Sequence, residues 1–154
     1  SIPWKIFWDG IFPHGKSKMV KKLSISIITP TFNRADELDF LLRSISKQTF
    51  PLTDIECIIS DDGSHDNTEK IVNKWKKKSL FDLTYIRQEN KGPGAARNHG
   101  LENSGGDIIL FIDSDCEAHP EWIEVIIKTF KLKNFDNTDL REVDFSLINV
   151  FMAP

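Results

Sequence analysis

Cysteine is scarce in this chain and long apolar runs are missing. Cys57 and Cys116 are the only two cysteines, and neither sits in a Cys-x-x-Cys or Cys-x-x-x-His spacing. No disulfide framework or thiolate metal site is encoded. Both thiols adjoin predicted core strands and read as buried and free, which suits a reducing compartment. No apolar stretch approaches the ~20 residues that span a bilayer. Lys5 and Asp9 interrupt any secretory apolar region near the start. Charge of one sign is lacking too: the formal net charge is −3 and the signs are mixed, so there is no electrostatic case for a nucleic acid as main partner. His14, His65, His99 and His119 show no zinc spacing, and His119, next to Pro120, reads as the start of a helix. There is no Gly-x-x-x-x-Gly-Lys-Ser/Thr phosphate loop.

What remains is an ordinary globular composition, 40% hydrophobic and 28% charged over 154 residues. That length suits one domain with a substantial core. Residues 1–22 stand apart as an arm. Trp4, Phe7, Trp8, Ile11 and Phe12 crowd into twelve positions, followed by Lys16, Lys18, Lys21 and Lys22. Such an arm packs on its own domain or a neighbour, or else lies at a membrane interface with its lysines on anionic lipid.

From residue 23 the pattern alternates. Residues 23–29 form a β-branched run that Pro30 is expected to close. Leu38, Leu41, Leu42 and Ile45 recur at helical spacing within residues 35–47. Residues 55–60 read as a second strand, and Asp66 with Glu69 predicts a capped helix over residues 66–78 that buries Ile71, Val72 and Trp75. Residues 83–87 read as a third strand, Gly92-Pro93-Gly94 as a loop, and residues 95–103 as a short helix ended by Gly105-Gly106. Residues 107–112 read as a fourth strand. Pro120 then opens a helix with an apolar stripe of Trp122, Ile123, Ile126, Ile127 and Phe130. Residues 134–142 read as a charged linker and residues 143–151 as a fifth strand. The expected fold class is α/β, a mostly parallel sheet with helices on both faces.

In such sheets ligands bind beyond the carboxyl ends of the strands, and each polar cluster falls there. Pro30-Thr31-Phe32-Asn33-Arg34 follows the first strand and Asp61-Asp62-Gly63-Ser64 the second. Asn90-Lys91-Gly92 and Arg97-Asn98 follow the third, and Asp113-Ser114-Asp115 the fourth. Two carboxylates one residue apart at the end of a buried strand suit a divalent cation carrying a phosphorylated ligand, since a desolvated charge needs a counter-ion. An isolated acidic pair is more often simply solvated. Asp61 fits a turn as well as a ligand contact. Arg97 can fork onto a diphosphate, or form an ordinary surface ion pair. Gly92-Pro93-Gly94-Ala95-Ala96-Arg97 starts like a dinucleotide fingerprint but has Arg where the third glycine belongs, and it follows the wrong strand.

Four blocks together carry a resemblance. Ser26-Ile-Ile-Thr-Pro-Thr-Phe-Asn-Arg34, Ile58-Ile-Ser-Asp-Asp-Gly-Ser-His-Asp-Asn-Thr68, Asn90-Lys-Gly-Pro-Gly-Ala-Ala-Arg-Asn-His-Gly100 and Gly106-Asp-Ile-Ile-Leu-Phe-Ile-Asp-Ser-Asp115 resemble the family 2 glycosyltransferases, in that family's order and spacing. The resemblance covers roughly residues 23–130. It implies a GT-A fold, with residues 23–154 as its donor-binding part. It also implies transfer of a sugar from a nucleotide donor, usually UDP-linked, with inversion, to a glycan or lipid-linked acceptor. By the same resemblance Pro30, Thr31, Phe32 and Asp62 frame the base, and Arg97 sits by the base or the phosphates. Asp113 and Ser114 face the ribose or sugar. Asp115, with Asp113, holds Mn²⁺ or Mg²⁺ on the diphosphate.

The family's general base, an Asp or Glu well beyond the Asp-x-Asp, is expected beyond residue 154. Glu117, Glu121 and Glu124 read as solvated helix residues. Two rivals stand beside the enzyme: a non-catalytic nucleotide-sugar-binding or partner-binding module, and a metal-dependent phosphotransfer domain built on Asp61, Asp62 and Asp113. The expected location is the cytoplasm, with peripheral membrane contact through residues 4–22 as the sharper reading of the arm.

Overall fold

The structure, a computed structural model, describes residues 23–132. The aromatic arm, the charged linker and the predicted fifth strand lie outside the described residues. Four strands, β1 (Ile25–Thr31), β2 (Ile55–Asp61), β3 (Asp82–Arg87) and β4 (Ile108–Phe111), form one sheet in the order β3-β2-β1-β4. All three pairings are parallel. The connections carry α1 (Ala35–Ile45), α2 (Thr68–Lys76) and α3 (Pro93–Glu102), and α4 (Trp122–Leu132) follows β4. The chain steps outward from β1 through β2 to β3, then returns to the other side of β1 for β4. That reversal makes the β1–β4 boundary the switch point of the sheet.

Strand side chains alternate between two buried faces. On one face Ile25, Ile27, Ile55, Cys57, Ile59 and Leu83 share a continuous core with α1, α2 and α4, through residues such as Leu38, Leu42, Val72, Ile123 and Ile127. Full burial of each large aliphatic side chain contributes about 1.5–3 kcal/mol relative to exposure. The other face buries Ile28 and Ile58 and is covered by α3, which packs on β1 and β2. Gly100 permits that approach: a β-carbon there would stand 2.4 Å from Ile28 Cγ2. Helices on both faces were expected, and both are present.

Three local expectations shift. Pro30 does not close β1; the strand runs through it to Thr31, in register with Ser60 and Asp61. Backbone polar groups of a strand point alternately to its two neighbours. Thr31 O accepts from Asp62 N on the β2 side, which turns the Pro30 nitrogen toward β4. The β1–β4 register ends at Ile28 and Phe111, so no ladder bond is lost at the proline.

Pro93 and Gly94 do not form a loop but open α3, with Pro93 in the first turn, where its missing N–H costs nothing. The helix after β2 starts at Thr68, and Asn67 rather than Asp66 occupies the cap position. Asp66 nonetheless accepts from the Thr68 N–H (3.0 Å) and hydroxyl (2.6 Å) through Oδ1 and from Ala35 N (3.0 Å) through Oδ2. Its side chain therefore joins the starts of α1 and α2 instead of capping one of them.

Candidate functional site

The carboxyl ends of the strands surround a cleft of about 410 Å³ lined by Pro30, Thr31, Phe32, Arg34, Asp62, Asn90, Gly92, Pro93, Ala96, Arg97, Asp113, Ser114 and Asp115. Each residue assigned above to the nucleotide sugar or the cation is in that lining. The structure adds Arg34, Asn90, Gly92, Pro93 and Ala96. Arg34 and Asn90 had been placed in strand-end clusters without being singled out; their signal was position alone. His119 is not in the lining: its ring accepts from Glu121 N (3.3 Å), and its carbonyl accepts from Trp122 N (2.9 Å) and Gln48 Nε2 (2.7 Å), as suits the start of α4.

The first wall is the bend between β1 and α1. Asn33 adopts a left-handed conformation (φ 51°), uncommon for a residue with a side chain. It is held there from both ends. Its N–H donates to Ser64 Oγ (2.8 Å), and its Oδ1 accepts from His65 N (2.7 Å). The turn brings the exposed Phe32 ring and the Arg34 side chain to the cleft. Arg34 reaches Asp115 (3.1 Å) and lies 3.7 Å from Glu37.

The two aspartates at the end of β2 have separate tasks. Asp61 is fully buried; its Oδ1 accepts from Ser64 N (2.8 Å) and its Oδ2 from the Tyr85 hydroxyl. It is absent from the cleft lining, so of its two sequence readings the turn is the one observed. Burial, and then the Asp61 carboxylate, push the Tyr85 hydroxyl well above the ordinary tyrosine range. Asp62 is buried at the edge of the cleft. Its Oδ1 accepts from Lys91 N and Gln88 Nε2, and its Oδ2 from Gly92 N, each at 2.8 Å. Burial alone would raise its pKa; the three donors overcome that and hold it below the usual carboxylate value. Asp62 thereby clamps residues 88–92, where Gly92 (φ 92°) turns the chain into α3.

The far wall is the doublet. Asp113 and Asp115 are exposed and flank Ser114, which is buried. Asp113 accepts from Arg97 at 2.6 Å and Asp115 from Arg34. No group of three or more His, Cys, Asp or Glu suited to a metal ion occurs among the described residues. Two carboxylates in one cleft do suit a hard cation whose other oxygen ligands arrive on a phosphorylated molecule. They do not form a closed protein cage.

The cysteines differ from one another. Cys57 is buried and its thiol is pushed up to about 12 by burial. Cys116, expected to be buried, is only partly so, because it lies in the turn that follows the doublet. Both are free. No helix among the described residues is long and apolar enough to cross a membrane.

Comparison with known proteins gives the arrangement a lineage. The profile of "Glycosyl transferase family 2" matches residues 26–144. Glycosyltransferase AglE of Haloferax volcanii is 34% identical over 105 residues, which are 68% of this chain and 34% of the relative. Among solved structures, Staphylococcus aureus TarS in complex with UDP-GlcNAc superposes with a TM-score of 0.66 at 34% identity, covering 71% of this chain and 32% of that one. The Pyrobaculum calidifontis mannosyltransferase PcManGT in complex with GDP-Man and Mn²⁺ gives the same TM-score at 25% identity, with the same coverage. The chain spans about one third of the length of AglE and of the two solved chains, the first of which is a fragment of TarS, and 18% of TarS itself. A parallel sheet reversed at β1, a cleft at the switch point and the profile match across residues 26–144 agree: the chain belongs to glycosyl transferase family 2, and its described residues form the N-terminal part of a GT-A fold.

Proposed function

We propose that this chain binds a nucleotide sugar in the cleft between β1 and β4, as the donor-binding part of an inverting glycosyltransferase of glycan or polysaccharide assembly. The observation that carries the reading is the convergence of four strand-end segments, with two arginines and two exposed carboxylates, in one cleft. UDP is the favoured nucleotide, since TarS is described in complex with UDP and with UDP-GlcNAc. In this reading Pro30, Thr31 and Phe32 border the base and Asp62 shapes its pocket from behind. Arg97 carries phosphate charge, and Asp113 and Ser114 face the ribose or sugar.

Asp115, with Asp113, would hold Mn²⁺ or Mg²⁺. A bound cation supplies Lewis-acid stabilisation of the departing diphosphate. The protein's own part in the described region is to fix the donor and shield it. The backbone at Asn33 and the Asp62 clamp are set by hydrogen bonds within the chain, so the walls of the cleft are organised in advance. A glycan or lipid-linked acceptor, residues 23–154 as one domain, a cytoplasmic location and contact of residues 4–22 with a membrane surface belong to the same proposal.

Calorimetric titration of UDP, GDP and UDP-sugars with and without Mn²⁺ tests it, repeated with Asp115→Ala. The expected result is metal-dependent UDP binding that the substitution abolishes. Failure to bind any nucleotide under either condition refutes the proposal.

A further inference from the structure

The cleft neutralises itself. Among the described residues that line it, Arg34 and Arg97 are the cations, and they are engaged by Asp115 and Asp113, the carboxylates not already saturated by donors of the 88–92 segment. The Arg34 and Asp115 side chains are 46% and 50% exposed, and those of Arg97 and Asp113 37% and 55%. Ion pairs this exposed are weak and readily exchanged. A divalent cation arriving alone meets carboxylates already paired. A diphosphate arriving alone meets arginines already paired. Only when both arrive can each carboxylate move to the cation and each arginine to the phosphates with no charge left unpartnered.

Resting on the nucleotide-sugar reading, we infer that Arg34 is a diphosphate ligand held in reserve by Asp115, and that its exchange couples cation binding to donor binding. Arg34 suits that task. Its backbone is fixed by neighbours on both sides: Asn33 is tied to Ser64 and His65, and Ala35 N donates to Asp66 Oδ2 at 3.0 Å. Its side chain is exposed and free to swing. Its fork can leave one carboxylate and take two phosphate oxygens without remodelling the loop. The coupling is reciprocal by linkage: whatever factor the diphosphate gives the cation, the cation gives the diphosphate.

The test is Arg34→Gln, read by electron paramagnetic resonance of free Mn²⁺ without nucleotide and by calorimetry of UDP at saturating Mn²⁺. Freed of its competitor, Mn²⁺ alone should bind about two- to fivefold tighter, the range of an exposed ion pair. UDP with Mn²⁺ should bind about tenfold weaker, for loss of one charge-assisted contact. Opposite signs are the signature, because a merely structural role for Arg34 would weaken both. Arg34→Lys keeps the charge but loses the fork, and should give the same two signs at smaller amplitude; it carries the test if Arg34→Gln melts early. Both affinities unchanged, or both weakened, in both variants overturns the inference while leaving the nucleotide-sugar reading intact. Absence of UDP binding by the unsubstituted chain overturns that reading instead, and the inference with it.

Discussion

Replacing Asp62 with asparagine removes a charge that the chain uses before any ligand arrives. The carboxylate accepts three hydrogen bonds at 2.8 Å, two on Oδ1 and one on Oδ2. An asparagine has one acceptor oxygen. In either amide orientation its NH₂ faces a backbone or side-chain donor, so at least one N–H of the 88–92 segment loses its partner. Hydrogen bonds to a charged group contribute about 1.5–3 kcal/mol each, and a buried donor left unpaired costs about 1–3 kcal/mol. The surviving contacts weaken without disappearing, which places the expected loss at about 2–4 kcal/mol. That is a large share of the roughly 5–15 kcal/mol of a typical domain.

Urea unfolding of both proteins, without nucleotide, measures the difference. The pH dependence supplies a second, independent sign. The pKa of Asp62 is lowered in the folded chain, so its contribution is complete above the ordinary carboxylate range and fades as pH falls through the depressed value. The gap between the two proteins should therefore be widest near neutrality and narrow in acid. Asp39 and Asp66 are lowered as well, Asp39 first by the Trp75 hydrogen bond and Asp66 by donors that outweigh its burial. They are common to both proteins and cancel in the comparison. A gap below about 0.5 kcal/mol, the scatter of ordinary surface substitutions, or a gap independent of pH, would refute the assignment of Asp62 as the clamp of this loop.

Other expectations follow from single contacts. Gly100→Ala sets a β-carbon 2.4 Å from Ile28 Cγ2 on a central strand, and overpacking of this kind costs about 1–3 kcal/mol in urea unfolding; an unchanged midpoint would show that α3 can lift off the sheet. Tyr85→Phe strips Asp61 Oδ2 of its hydroxyl donor inside the core, with a loss of about 1–3 kcal/mol by the same measurement. The Cys57 thiol, pushed up to about 12 by burial, should resist alkylation at pH 8 in the native chain and react on unfolding; mass spectrometry of labelled peptides checks this, and rapid native labelling of Cys57 would contradict the placement of β2.

The α/β class and the order of the elements were legible because apolar period and punctuation coincide. Leu38, Leu41, Leu42 and Ile45 repeat at helical spacing and are all fully buried in α1. The short apolar runs at β1, β2 and β4 stand where strands were expected. What failed locally was the reading of proline and glycine. Pro30 is tolerated near the end of β1 because its missing N–H faces the side on which the ladder with β4 has already ended, a fact of the sheet rather than of the local residues. Pro93-Gly94 looked like a loop because propensity disfavours both residues in a helix, yet the first turn of α3 tolerates them. In the cleft, motif residues could be located but not their partners. Asp61 and Asp62 are identical neighbours in sequence. Strand alternation sends one toward the partly buried Tyr85 and the other toward the 88–92 loop, and only the register with β3 decides which.

The same register explains why the cleft opens where it does. β1 continues through Thr29, Pro30 and Thr31 past the end of its ladder with β4, while its ladder with β2 continues to Thr31 and Asp61. On one side the last residues of β1 are paired; on the other they are bare, and the residue that would most need a partner there is a proline without an N–H. Past Ile112, whose N–H donates to Ile28 O at 3.1 Å, the chain from β4 is released to turn at Asp113-Ser114-Asp115 rather than pair. The gap between a strand that runs on and a strand that stops early is the β1–β4 side of the cleft. Pro30 therefore acts in two ways: it borders the cleft, and it offers β4 no N–H to bond. A substitution that restored the donor, Pro30→Val, would let β4 extend its ladder toward Asp113. That extension would tie down the doublet without touching a carboxylate.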